Sequence, residues 1–235
     1  MPRKKPPTIT LPAVVAPITD VVRPMTVAGD LVRVDAVYHV PAVHPSGDGP
    51  WANEADKVAW TDPLTGYGCI IRRSPNGRFL AGYVSVPPSH PLYGRDVHTL
   101  TGLGIAVHGG LDYSDECQHD EAEEYSVCHV VVRIVPEDFQ QRAYANDAAD
   151  AHDDAWWLGF SCDKPGDIIP VPSSSHARHV PRPGIEAPTY KTEGFVHDEC
   201  VRLALQLEAI EKGRDPREAD PGPTPMLRPV RELGK

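Results

Sequence analysis

The sequence predicts an α+β fold: a mainly antiparallel sheet with a C-terminal amphipathic helix. Three observations lead there. Residues 68–86 spell out a hairpin, with two strand-like runs around a turn. Further strand-like runs follow without the regular strand–helix alternation of a parallel sheet. Residues 192–213 then carry one apolar stripe at helical spacing. The 26 prolines of the 235 residues crowd both ends. This predicts a single domain over 28–213, a flexible proline-rich tail over 1–27 and a second tail over 214–235.

The elements follow in chain order. Thr26 to Val40 alternates enough for one or two strands, and His44 to Asp62, rich in Pro, Gly, Ser and Asp, reads as a loop. Gly68–Arg73 is a strand, Ser74-Pro-Asn-Gly77 a turn in which Asn76 and Gly77 tolerate positive φ, and Phe79–Val86 the returning strand. Pro87, Pro88 and Pro91 end it. Leu103–His108 reads as a strand closed by Gly109 and Gly110, and Cys128–Val135 as a central strand stopped by Pro136. Residues 137–155 have helical propensity, Trp156–Cys162 is a buried strand, and 163–190 is a proline-rich loop. Thr192 caps the last helix, whose stripe is Val196, Cys200, Leu203, Leu207 and Ile210. Gly213 stops it.

Composition excludes several function classes. A net charge of −10 makes nucleic acid an improbable partner, and the basic start Arg3, Lys4 and Lys5 reads as a solvated tail. No apolar run approaches the roughly 20 residues that span a bilayer, and prolines interrupt what would be a signal peptide. Cys69, Cys117, Cys128, Cys162 and Cys200 are odd in number and contain no C-x-x-C pair, so they read as reduced thiols. Together these predict a cytoplasmic protein with no membrane partner.

Two stretches have the residue types of a site. In Val107-His-Gly-Gly-Leu-Asp-Tyr113, His108 ends a strand and Gly109–Gly110 let the backbone turn and approach a ligand. Its alternative is a tight turn with a hydrogen-bonded histidine. In Phe160-Ser-Cys-Asp-Lys-Pro-Gly-Asp167, Asp163 and Asp167 have the chemistry to share a divalent cation, and Cys162 that of a nucleophile if its pKa is depressed. The alternative there is a capped turn beside a packed cysteine. Residues 112–124 carry seven acids, either a cation or partner face or, more simply, a solvated loop. The Pro87-Pro-Ser-His-Pro91 loop with Tyr93 is suited to wall a cleft, and at least one of Trp156 and Trp157 belongs to the core. There is no Walker loop, G-x-G-x-x-G, H-E-x-x-H or G-x-S-x-G. His176 and His179 have no partners at zinc-ligand spacing.

The series G-Y-V-x-V-P-P-x-H-P (82–91), V-H-G-G-L-x-Y (107–113), W-W-x-G-F-x-C-x-x-x-G-D (156–167) and Y-x-x-x-x-x-V-x-x-E-C (190–200) resembles a family of uncharacterised proteins of tailed bacteriophages, including those of actinobacteria. The resemblance spans about residues 60–210. It implies a phage accessory protein made in the host cytoplasm, and it brings no activity with it. The family pattern has an acid where Ser161 stands and a histidine where Lys164 stands, so this chain departs from it at two polar positions.

Three functions stay open on the sequence. One is a non-catalytic protein that holds a small anionic molecule, or a host protein, in a strand-end cleft built from His108, Gly109, Gly110, Tyr113, Lys164 and Asp167, with Tyr83 and His90 at the rim. Another is a metal-assisted hydrolase using His108, Asp163 and Asp167 around an activated water. The third is an interaction protein with an acidic contact face. Cofactor, metal and oligomeric state are not specified by the sequence.

Overall fold

The computed structural model describes residues 24–27, 30–118, 120–128, 154–171 and 187–220, with the backbone alone for 24–33. Strands β1 (Pro24–Val27) and β2 (Asp30–Arg33) pair with each other, Met25 opposite Val32. The main sheet is built from β3 (Ala36–Tyr38), β4 (Lys57–Thr61), β5 (Gly68–Arg73), β6 (Leu80–Val86), β7 (Tyr113–Glu116) and β8 (Trp156–Ser161). Its order is β3-β4-β5-β6-β8-β7 and every neighbouring pair is antiparallel. Helices α1 (Glu193–Glu211) and α2 (Pro216–Ala219) follow. The predicted α+β class with a mainly antiparallel sheet and a C-terminal helix is therefore the observed one.

Alternation along the strands sorts side chains between two cores. Val58, Trp60, Ile71, Val84, Leu158 and Phe160 face α1, which answers with Val196, Cys200, Leu203 and Leu207. Tyr38, Ala59, Ile70, Tyr83 and Trp157 face the other way, against Cys117, Val127 and Cys128. The helix comes close because β6 has Gly82 at the contact. A Cβ there would stand 2.6 Å from Phe160 Cζ and 2.7 Å from Cys200 Sγ. Thr192 caps α1 as expected, accepting the Phe195 N–H at 3.3 Å.

The hairpin matches its prediction with one change at the turn. Positive φ falls on Gly77 (+86°) and Arg78 (+61°), not on Asn76. Arg73 offsets the left-handed strain at Arg78 by donating from Nη1 to the Arg78 carbonyl at 3.0 Å.

Other expectations are corrected. Leu103–His108 is not a strand. The loop predicted over 44–62 ends in strand β4, and the acidic run contains β7. Residues 216–219, expected in a tail, form α2, which Arg202 of α1 ties down through Asp220 at 2.9 and 3.0 Å. Cys117 and Cys128 are not reduced thiols but joined as a disulfide, their Cα atoms 4.9 Å apart, within the range a bridge requires. Most of the predicted Cys128–Val135 strand and 137–155 helix, and His176 and His179, lie outside the described residues. Among the described residues no helix is long and apolar enough to cross a membrane.

Two cationic side chains are buried in the sheet. Lys57 holds the 117–128 segment, donating to Cys128 O at 2.9 Å and to Glu123 O, and burial pulls its pKa down to about 8. Arg73 reaches Asp56 Oδ1 at 2.8 Å, Glu54 Oε2 at 3.1 Å and Tyr190 Oη at 3.1 Å.

Candidate functional site

His108 is placed by helix side chains instead of a neighbouring strand. Ile105, Val107 and Leu111 pack toward the α1 core, which gives the segment its strand-like alternation. Its backbone groups are satisfied by α1: Gln206 accepts the Ala106 N–H at 2.7 Å and donates to the Ala106 carbonyl at 2.8 Å. Glu199 Oε2 accepts the His108 N–H at 2.7 Å. The chain then turns at Gly109 and Gly110, with φ +67° and +85°, closed by Gly110 N to Val107 O at 2.9 Å. The Lys164 stem occupies the space that a Cβ on Gly109 would take.

The 161–168 turn brings the partner. Lys164 N donates to Asp167 Oδ2 at 2.9 Å, and Asp167 N donates back to Lys164 O at 2.9 Å. Segment 187–190 fixes the turn from outside: Ile168 N donates to Thr189 O at 2.9 Å and Thr189 N to Gly166 O at 3.0 Å.

The two sequence stretches meet at one bond. His108 Nε2 lies 2.8 Å from Asp167 Oδ2; the Asp167 side chain is 2% exposed and the His108 ring 18%. A carboxylate only accepts, so Nε2 carries a proton, and in the neutral ring Nδ1 presents its lone pair. Nδ1 has no hydrogen-bond partner among the described residues. Phe195 of α1 meets the ring edge-on at 5.3 Å. Lys191 completes the group: its Nζ donates to Thr189 Oγ1 at 2.8 Å, stands 3.7 Å from Asp167 Oδ1 and lies 5.0 Å over Phe195.

Lys164 belongs to an adjoining cluster. Its Nζ reaches Asp112 Oδ2 at 2.5 Å, Ser161 Oγ at 3.0 Å and Asp163 Oδ1 at 3.1 Å. Burial pulls the ammonium's pKa down, but its bonds to Asp112 and Asp163 outweigh that and raise it above the lysine norm. The Asp163 carboxyl is pushed up by burial and pulled further down by Ser161 and Lys164. A Ser–Lys spacing of 3.0 Å resembles a nucleophile with its base, yet an ammonium that keeps its proton cannot take one from Ser161.

The structure thus brings His108, Gly109, Gly110, Lys164 and Asp167 together, with Asp163 beside them but turned to Ser161 and Lys164. Among the described residues no group of three His, Cys, Asp or Glu side chains is placed to hold a metal ion. Three expected residues lie apart. Tyr83 and Tyr113 stack edge-to-face at 5.0 Å on the opposite face of the sheet, where Arg72 Nη2 reaches Tyr83 Oη at 3.4 Å. His90 is buried and uses both nitrogens: Nδ1 accepts Leu92 N–H at 3.1 Å, and Nε2 donates to Leu207 O at 3.0 Å. It fastens the 87–92 turn to α1. Cys162 is buried and burial pushes its thiol far up, which leaves it unreactive.

Sequence reasoning missed Lys191, Phe195 and Glu199 as site residues. Glu199 stands in the E-C pair that ends the motif series, which was the signal available for it. Two hollows lie elsewhere. One of about 310 Å³ is lined by Asp115, Glu116, Asp120 and Glu121, and one of about 440 Å³ by His39, His44, Glu54 and Asp56. No protein-family model, no curated protein and no solved structure matches the chain.

Proposed function

We propose that the chain is an acid–base catalyst that works on a small anionic substrate at His108, in a hydrolytic or group-transfer reaction. The observation behind this is the 2.8 Å bond between His108 Nε2 and a buried Asp167 that its own turn holds in place. Such a bond fixes the imidazole's tautomer and orientation and stabilises the imidazolium formed when Nδ1 takes a proton. Of the two lysines beside the pair, Lys191 is the less committed cation for the substrate's anionic group: it stands 3.7 Å from Asp167 Oδ1, whereas Lys164 is hydrogen-bonded to two carboxylates. The motif resemblance supports a bacteriophage accessory protein acting in the host cytoplasm. In that reducing compartment the Cys117–Cys128 bridge would be an exception.

Retention of an anion without chemistry is the second reading, favoured by the same Lys191. Hydrolysis of p-nitrophenyl phosphate, bis(p-nitrophenyl) phosphate and p-nitrophenyl acetate separates the two. The acid–base reading expects turnover of at least one, reduced roughly 10²–10⁴-fold in His108→Gln and in Asp167→Asn. No turnover, with inorganic phosphate still shifting the His108 ring resonances, replaces catalysis by binding. Absence of both effects overturns both readings.

A further inference from the structure

Glu199 spends its two oxygens in different directions. Oε2 accepts the His108 main-chain N–H at 2.7 Å, and Oε1 is held by Arg202 Nη1. Arg202 is itself fixed by Asp220, with Nε and Nη2 at 2.9 and 3.0 Å from the two carboxylate oxygens. Glu199 and Arg202 are both buried. A buried carboxylate clamped by a guanidinium has one rotamer, so it offers His108 an acceptor at one point in space. One helical turn earlier, Phe195 sets the tilt of the same ring. Gln206 anchors the same segment at Ala106 by two further bonds.

We infer that Glu199 is a positioning residue for His108: by holding the His108 main-chain N–H it sets the ring against Asp167 and keeps the proton on Nε2. The inference rests on the acid–base reading for its catalytic consequence, but not for its effect on the ring. Without Glu199 the His108 N–H loses its acceptor, and the 2.8 Å contact with Asp167 loses the support that aligns it from the main-chain side. Glutamine preserves one acceptor oxygen for the His108 N–H but sets its NH2 against the Arg202 guanidinium, and alanine preserves neither acceptor.

Long-range ¹H–¹⁵N correlation spectra of the histidine rings test this on the full chain. The wild type is expected to show His108 as the Nε2–H tautomer. Glu199→Ala raises the Nδ1–H form at least fivefold and lowers turnover at least tenfold. An unchanged His108 spectrum in folded Glu199→Ala overturns the inference. If Glu199→Ala does not fold, hydrogen exchange of the wild-type His108 amide decides. Slowing of at least 100-fold relative to an unstructured peptide supports the contact, and exchange at the unstructured rate overturns it. The expected tautomer changes in a protein without turnover would remove the acid–base reading and leave the positioning role standing.

Discussion

Glu54 Oε1 accepts the main-chain N–H of Glu193 at 2.8 Å, so two glutamate carboxyls meet at the buried first turn of α1. Their positions are unequal. Glu54 also takes Tyr190 Oη at 2.6 Å and Arg73 Nη2 at 3.1 Å. Glu193 has the Ala55 N–H at 3.4 Å on Oε2, while its Oε1 is buried without a partner among the described residues. Arg73 is already shared between Glu54 and Asp56, so it offsets the charge of an ionised Glu193 only in part.

Burial raises the Glu193 carboxyl from 4.5 to about 7. The folded chain therefore binds this proton more tightly than the unfolded chain. The resulting stability is full below pH 4.5 and is lost as pH rises through about 7. Glu193→Gln, neutral throughout, should match wild type near pH 4.5 and exceed it above pH 7, by at most about 3 kcal/mol. Urea unfolding of both proteins at the two pH values checks the sign. A variant less stable than wild type at pH 8 would show that the ionised carboxylate is wanted there.

Arg73→Met should be among the most damaging single changes. It leaves Asp56 and Glu54 buried without their cation and frees the Arg78 carbonyl, at a cost of about 3–5 kcal/mol. Arg73→Lys should recover only part, since one ammonium cannot serve acceptors that lie on three sides of a guanidinium. Denaturant midpoints of the two variants measure the difference.

Gly109 and Gly110 make an internal comparison. Both have positive φ, so alanine at either costs about 1 kcal/mol of backbone strain. Above Gly110 there is open space, whereas a methyl on Gly109 runs into the Lys164 stem. Gly109→Ala should therefore be the less stable of the two by about 1–2 kcal/mol. It should also expose Lys164 to amine acylation, read by peptide mass mapping.

The cysteines predict a count. Denatured without reductant, the chain should take up alkylating reagent at Cys69, Cys162 and Cys200 only; after reduction Cys117 and Cys128 should react as well. Opening a ring of this length should lower stability by about 3 kcal/mol on the chain-entropy model. Full alkylation of the unreduced, denatured chain would show the bridge to be absent.

The hairpin and α1 were legible because their signals are local: a turn with Pro75 and Gly77, and a stripe spaced 4, 3, 4, 3. Strand β4 was hidden because it opens on Lys57, a residue whose burial depends on carbonyls more than 60 positions away. Strand β7 was hidden by its acids: Asp115 and Glu116 stay exposed at a sheet edge, where strand composition is least constrained. Residues 103–108 alternate as a strand does, but periodicity reports which side is buried and says nothing about what binds the backbone. The His108–Asp167 pair was readable because each residue lies in one of the quoted motifs, His108 before a glycine pair and Asp167 at the close of a turn. Lys191 and Glu199 were not, since Lys191 gains a role only where the 187–190 segment meets Asp167, and Glu199 only where α1 packs on the 104–111 segment.

That packing sets two rulers of different graduation side by side. Gln206 and Glu199 are seven residues apart on α1, roughly 10.5 Å of helix axis, while the Ala106 and His108 positions they grip are two residues apart, roughly 6.6 Å of extended chain. A strand docked beside another strand can slip by two residues and find equivalent bonds. Here the left-handed turn at Gly109 and Gly110 begins directly after the second grip, so a chain drawn two residues toward Ala106 would bring that turn into the grip. An insertion or deletion between residues 101 and 105 therefore has to be absorbed as a bulge before Ala106 if His108 is to keep its place.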